Sequence, residues 1–230
     1  RKAAETMEIV VKMAKKEKSE HLSSMMENLA QFRYDLKEYD AADKVYQEMI
    51  DMDESALLPK IGLARNQNAR ENYDEALKIL SECAMYDKDY AEIYRFRMHA
   101  YEGKKEYKKM IDAMITLYEK SEDSDYLSIE RFKKDNKYSV AVIKEKIASE
   151  KDNALWRLVL AGLYEECYMF SEMLPLLNGI LDEYGLDEDL LEARADCYDE
   201  MGMTELALAD VNTILEICDE SDRAYYHSKR

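Results

Sequence analysis

Apolar residues recur along most of the chain with the spacing of one face of an α-helix. The clearest stripe lies at i, i+3, i+4, i+7 and i+8 and consists of Ala42, Val45, Tyr46, Met49 and Ile50. An earlier stripe includes Met26, Leu29, Ala30 and Phe32, and a polar break over residues 35–38 separates the two. Strand-type alternation is nearly absent. The pattern predicts pairs of amphipathic helices joined by short turns.

The predicted helix pairs repeat with a nearly constant period. Tyr39, Tyr73 and Tyr107 open three second helices and lie 34 residues apart. Similar positions follow at Tyr138, Phe170 and Thr204, at spacings of 31, 32 and 34 residues. We therefore expect six units, which cover residues 23–56, 57–90, 91–121, 122–153, 154–187 and 188–221. The fourth is degenerate, because its first helix, near residues 125–134, is short and highly charged.

Small residues recur at one position in each helix of a pair. In the first helices these are Ala30, Ala64, Ala161 and Ala195, and in the second helices Ala42, Ala76, Ala141 and Ala207. A small residue lets two helices approach closely. One such pair cannot bury its own apolar face, so the units are expected to stack on one another.

The period, the helix–turn–helix layout and the small-residue positions resemble the tetratricopeptide repeat (TPR) family. The resemblance covers residues 23–221 and implies an all-α solenoid of about six repeats wound into a right-handed superhelix. The proline that usually closes a TPR unit is missing, since Glu54, Lys88, Asn153 and Asp219 stand near that place. Residues 1–22 form one amphipathic helix that packs on or precedes the first repeat, and residues 222–230 begin a further or capping helix.

The charge is strongly negative and unevenly distributed. Lys and Arg number 33 and Asp and Glu number 50, a net charge of −17. This balance argues against nucleic acid as a general partner, because phosphates require cationic side chains. Between Leu158 and Glu220 there are 17 acidic residues and one basic residue, Arg194. That stretch is interpreted either as a solubilising face or as a surface that steers a basic partner.

The cysteines and the apolar runs indicate the cellular compartment in which the chain is expected. Cys83, Cys167, Cys197 and Cys218 show no CxxC or zinc-type spacing, so we expect free thiols in a reducing compartment, the cytoplasm. The apolar runs fall far short of the ~20 residues that span a bilayer. No leader is visible, but the chain begins with Arg, so it is interpreted as an excised or processed piece.

No sequence motif for catalysis or cofactor binding is present. The chain lacks GxxxxGK[ST], GxGxxG, HExxH, GxSxG and EF-hand patterns. The three histidines are too dispersed to indicate a metal site. We therefore expect no enzymatic activity, no cofactor and no metal. The 14 methionines and 18 tyrosines are interpreted as core and ridge residues of stacked helices.

The remaining candidate site is the concave groove that the first helices line in TPR-like proteins. Its expected residues are Gln31, Tyr34, Arg65, Asn68, Arg95, His99, Tyr126, Lys133, Glu165, Glu192, Asp196 and Asp199. The groove should run from mixed charge, to basic near Arg65 and Arg95, to strongly acidic. The Lys/Asn/Arg clamp with which some TPR proteins hold acidic chaperone tails is missing, since Glu27, Gln31 and Gly62 occupy the matching places.

Three functional hypotheses remain open at this point. The leading one is a non-enzymatic scaffold that binds a peptide or a partner helix in the groove, the partner carrying a basic segment opposite the acidic repeats. The second is an auxiliary subunit that contacts its partner through the convex face or the array ends. The third is a segment of a longer solenoid with no ligand of its own. The sequence leaves the oligomeric state undefined.

Overall fold

The computed structural model describes residues 2–150, 153–220 and 222–229, and all its regular structure is helical. The chain divides into two compact units, Arg1–Leu127 and Ser128–Arg230. Within the described ranges no helix is both long and apolar enough to cross a membrane.

The first unit consists of seven helices. They are α1 (Lys2–Glu17), α2 (Leu22–Asp35), α3 (Tyr39–Met52), α4 (Leu57–Ala69), α5 (Tyr73–Tyr86), α6 (Ala91–Gly103) and α7 (Tyr107–Ser121), followed by a 3-10 turn at Ser124–Tyr126. From α2 onwards the helices pair as antiparallel hairpins, and α1 packs on α2 by placing Val11 against Met26 and Leu29.

The second unit opens with the shortest helix and then returns to regular hairpins. Its helices are α8 (Ile129–Phe132), α9 (Asn136–Ser149), α10 (Leu155–Glu166), α11 (Phe170–Tyr184), α12 (Glu188–Glu200), α13 (Thr204–Ile217) and α14 (Arg223–Lys229), with a 3-10 turn at Lys133–Asp135. At its end α14 places Tyr226 in a core cluster with Leu191 and Ile214.

The regular hairpins turn through one shared backbone geometry. The second residue after each of these first helices lies in the left-handed region, with φ between 56° and 73°, at Lys37, Glu71, Lys105, Tyr168 and Gly202. The next amide then donates to a carbonyl five residues earlier, as Glu38 does to Arg33 at 2.9 Å. This closure satisfies carbonyls at the helix end. Only one of the five positions is Gly, so four non-glycine residues adopt the left-handed conformation.

The small-residue positions are buried as predicted in the regular hairpins. Ala30, Ala42, Ala64 and Ala76 have no exposed surface, and Ala161, Ala195 and Ala207 are also buried. The prediction for the fourth unit is wrong. Ala141 is exposed, and Ser139 occupies the buried position, where its hydroxyl donates to the carbonyl of Phe132 at 2.8 Å.

The error in the fourth unit has a physical cause. Helix α9 begins at Asn136, where the Asp135 carboxylate caps the amide of Tyr138, and not at Tyr138 itself. The second helices therefore start 34 residues apart except across α7–α9, where the spacing is 29. The shortening falls in the first helix, which is reduced to α8 and two 3-10 turns. The predicted 31-residue spacing from Tyr107 to Tyr138 is therefore wrong, since the residue that begins α9 is Asn136.

Candidate functional site

In the first unit, the first helices α2, α4 and α6 line a groove of about 280 Å³. Each helix contributes polar side chains at its outward face. They include Glu27 and Gln31 from α2, Arg65 from α4, and Glu92 and Arg95 from α6, and Gly62 of α4 lines the groove with its backbone. Three of the predicted groove residues, Gln31, Arg65 and Arg95, thus lie together.

Arg65 is held in place by neutral groups. Its guanidinium lies 3.9 Å from the ring centroid of Tyr34. Its Nη1 donates to Gln31 Oε1 at 2.6 Å, and its Nη2 donates to the Tyr46 hydroxyl at 3.0 Å. Because none of these partners carries a charge, the arginine is positioned without being neutralised.

The hydroxyl of Tyr46 reaches the groove because Gly62 has no side chain. A Cβ on Gly62 would lie only 2.4 Å from the Tyr46 ring. The ring therefore crosses the α4 backbone and its polar tip lines the groove. Burial raises the pKa of Tyr46, partly opposed by the nearby Arg65 charge. The phenol is consequently a neutral hydrogen-bonding group at physiological pH.

The expectation that this groove is basic is wrong. Arg95 donates to Glu92 on its own helix, with Nε 2.9 Å from Oε1. Glu27 adds a second carboxylate to the lining, and burial raises its pKa. Since two carboxylates accompany two guanidinium groups, the groove is of mixed charge. The prediction placed Arg65 and Arg95 in the groove but overlooked Glu92, which stands three residues before Arg95 on the same helix face.

The other predicted residues of the first unit do not line the groove. Asn68 donates to the backbone carbonyl of Phe96 at 2.9 Å and so connects α4 to α6. His99 is exposed, and its Nδ1 lies 3.9 Å from Glu102. Tyr126 is half-buried in the 3-10 turn that follows α7. Tyr34 does not line the groove itself, but its ring supports the guanidinium of Arg65, which does.

In the second unit, α10 and α12 line an acidic groove of about 330 Å³. It contains the predicted residues Glu165, Asp196 and Asp199, together with Glu166, Glu200 and two aromatic rings. Burial raises the pKa of Glu165, and the neighbouring Glu166 and Asp196 raise it further. Among the described residues no group of His, Cys, Asp and Glu is arranged to hold a metal ion.

Lys133 and Glu192 have structural partners. Lys133 donates to Glu166 at 2.8 Å and thereby links the 3-10 turn after α8 to α10. Glu192 accepts from the hydroxyls of Tyr225 and Tyr226 at 2.8 and 3.1 Å and so holds α14. Burial and this bond raise the pKa of Tyr226 to about 12. Glu192 therefore serves the contact between α12 and α14.

The one basic residue of the acidic stretch is used internally. Arg194 donates to both oxygens of Asp210, which is 5% exposed, at 2.8 and 2.6 Å, and also to Asn178. The pair connects α12 to α13 in a bidentate arrangement. Arg194 is thus engaged inside the hairpin and does not reduce the negative charge of the groove.

The sequence did not reveal the role of two residues of the first groove, Tyr46 and Gly62. Tyr46 belongs to a core stripe, and nothing in that stripe shows that its hydroxyl emerges elsewhere. Gly62 stands inside a predicted helix, where glycine is unfavourable by ~1 kcal/mol relative to alanine. A glycine at such a position, 16 residues after a large aromatic residue of the preceding helix, is the signal that could have identified both.

Comparisons with known proteins give matches among solved structures. No protein-family model and no curated protein matches the chain. Solved structures do match. A tetratricopeptide repeat protein from Parabacteroides merdae ATCC 43184 is 17% identical, with 85% of this chain and 80% of that chain covered and a TM-score of 0.45. YrrB, a TPR protein with an unusual peptide-binding site, is 16% identical, with 80% and 98% covered and a TM-score of 0.46.

The chain has the TPR fold. The hairpins, their 34-residue spacing and the shared turn geometry are those of this fold, and the predicted TPR-like all-α class is confirmed. A chain in the structure of Naa15/Naa10 bound to HypK-THB is also similar, at 15% identity and a TM-score of 0.53. The match covers 90% of this chain and 34% of that one, so this chain spans about a third of its length. At these identities the likeness is one of fold.

Proposed function

We propose that the chain is a non-enzymatic scaffold that binds a peptide or a partner helix in the groove of its first unit. The observation that carries this proposal is Arg65, a guanidinium fixed by Tyr34, Gln31 and Tyr46 in a groove lined by the first helices of three successive hairpins. A positioned but unneutralised cation in a polar groove is suited to recognition, because its ordering has already occurred before the ligand binds.

The second unit supports the proposal through its charge. Its acidic groove and the internal use of Arg194 leave a surface that favours a partner with a basic segment. Single exposed ion pairs contribute only about 0–1 kcal/mol. We therefore assign this surface to attraction and orientation of the partner, and the first groove to its recognition.

Peptide selection with site-specific crosslinking tests this function. A displayed random-peptide library is selected on the full chain, and the enriched peptides are measured by fluorescence anisotropy. A photo-crosslinking residue replaces Leu58, which lines the first groove and is 42% exposed, or Met85, which is 78% exposed at the end of α5. We expect crosslinks at position 58 and none at position 85. Crosslinking at 85 alone would exclude the groove.

A second candidate function is that of an auxiliary subunit contacting its partner through an array end. It is favoured by Ile9 and Met13, which are 60% and 57% exposed one turn apart on α1. The matching positions of α3 hold Lys44 and Glu48, which are polar and exposed. An Ile9→Glu/Met13→Glu variant distinguishes the two candidates, since it should abolish partner binding only if α1 is the contact.

A further inference from the structure

The groove of the first unit contains two charged groups of opposite sign that no internal partner neutralises. Arg95 is paired with Glu92. Among the described residues, no opposite charge lies within 4.0 Å of the Glu27 carboxylate or of the Arg65 guanidinium. Glu27 lies on α2 and Arg65 on α4, so the two charges come from neighbouring helices.

The surroundings of Arg65 are arranged to donate hydrogen bonds outward. Gln31 donates to Asp35 Oδ1 at 2.6 Å, which turns the amide oxygen of Gln31 toward Arg65. Each Nη of Arg65 uses one N–H in its bond to a neutral partner and keeps a second. The Tyr46 hydroxyl accepts from Arg65 and still has its own proton to donate. A carboxylate placed here would receive charge-assisted bonds from the guanidinium and a further bond from the phenol.

Glu27 is suited to bind a cation next to the carboxylate site formed by Arg65 and Tyr46. Its side chain is half-buried beside the groove, and burial raises its pKa because the charged form has lost part of its hydration. A cation from a ligand would restore the lost stabilisation. The apolar surface of Leu58 and Phe96 in the same groove offers contact for the ligand between its charges.

We propose that this groove selects a peptide segment that carries an acidic and a basic side chain together, the carboxylate bound by Arg65 and Tyr46 and the cation bound by Glu27. This rests on the proposed function and specifies its ligand. Recognition of a charge pair differs from recognition of a purely acidic tail, which the Glu27 and Glu92 carboxylates disfavour. It also differs from the acidic groove of the second unit, which attracts cations alone.

Synthetic peptides with defined charges test the inference. Labelled Ala/Leu-based peptides carry Lys and Glu at several separations, and matched peptides carry Lys and Gln, Gln and Glu, or Gln and Gln. Binding to the full chain is measured by fluorescence anisotropy. At the best separation, the peptide with both charges should bind about tenfold more tightly than either singly charged peptide.

Two variants assign each charge to its site. Glu27→Gln should remove the advantage of the peptide's Lys and leave that of its Glu, and Arg65→Gln should do the reverse. Arg65→Lys should restore part of the preference for Glu, since the charge returns without the planar fork. Glu82→Gln on α5 and Lys44→Gln on α3, both exposed and outside the groove, are the charge-matched controls. Thermal unfolding of every variant by circular dichroism verifies that it folds.

The outcomes separate this inference from the function on which it rests. If library-selected peptides crosslink at position 58 but neither charge affects affinity, the groove binds peptides and the charge-pair inference is wrong. If both preferences persist in Glu27→Gln and in Arg65→Gln, the charges act elsewhere and the inference is likewise wrong. Loss of each preference in its own variant supports it.

Discussion

At the scale of single residues, Gly62 is the point on which the first groove depends. A Cβ there would lie 2.4 Å from the Tyr46 ring, whereas Gly179, also inside a helix, has nothing within 4 Å of an added Cβ. Gly62→Ala should therefore destabilise the chain by about 1–3 kcal/mol through overpacking. Gly179→Ala should stabilise it by about 0.5–1 kcal/mol, because alanine is the better helix former.

Urea titrations of the two alanine variants compare them directly. The same substitution in two helices controls for propensity, so a difference in sign isolates the contact with Tyr46. Equal stabilisation by both would mean that Tyr46 does not cross the α4 backbone.

The carboxyl of Glu27 should make stability depend on pH. Burial raises its pKa above the ordinary value of 4.5, so the folded state binds a proton more readily than the unfolded state. The favourable contribution of the protonated form is fully present below pH 4.5 and is lost as pH rises through the folded-state pKa. Glu27→Gln should therefore raise the unfolding midpoint near neutral pH, and the difference should vanish in acid. A constant difference across pH would contradict the assignment.

At the scale of helices, the register of α9 can be tested by comparing two of its residues, one buried and one exposed. Ser139 is fully buried and bonded to the Phe132 carbonyl, while Ala141 is exposed on the same helix. Ser139→Leu should destabilise the second unit by about 1–3 kcal/mol, since it overpacks the contact and removes a buried bond. Ala141→Leu should remain within about 0.5 kcal/mol of the parent. If Ala141→Leu were the more destabilising of the two, Ala141 would be the buried residue, as the alignment on Tyr138 predicted.

The pairing of α12 with α13 depends on a buried charge. Arg194→Met should cost about 3–5 kcal/mol, because it leaves the buried Asp210 carboxylate without its cation. Arg157→Met removes an arginine from the more exposed Glu183 and should cost only about 0–1 kcal/mol. Chemical denaturation of both measures the contrast. Equal, small losses would show that Asp210 is solvated in the folded protein.

At the scale of the molecule, the negative charge of residues 158–220 should control association rates. Asp196→Lys/Asp199→Lys reverses charge in the acidic groove without touching the Glu192 contact to α14, so stability should change little. Association of a labelled Lys/Ala peptide of net charge about +4 should slow, and its dependence on salt should weaken. Asp51→Lys/Glu54→Lys in the first unit is the control with the same change in net charge. An unchanged salt dependence would reduce the acidic surface to a solubility feature.

The candidate site illustrates what outward-facing helix positions can predict. Gln31, Arg65 and Arg95 meet in one groove, and Glu165, Asp196 and Asp199 meet in another, because residues on one face of each helix remain adjacent when the helices stack. The prediction from helix faces was wrong where an outward-facing side chain forms a hydrogen bond to another helix instead of lining the groove. Asn68 bonds to the backbone of Phe96, and Glu192 holds two tyrosine hydroxyls of α14.

The sequence by itself determined the helical class, the hairpin repeat and the buried small residues, because a 34-residue period and a helical apolar stripe are local properties of the chain. Only the tertiary structure decided where α9 begins, since the shortened first helix lets Asn136 and Ser139 take positions that the aromatic pattern gave to Tyr138 and Ala141. It also decided which charges of the first groove are left without an oppositely charged partner. Glu92 stands three residues before Arg95, so the pairing of Arg95 follows from helical spacing. The neutral contacts of Arg65 with Gln31 and Tyr46 come from other helices, and no spacing along the chain specifies them.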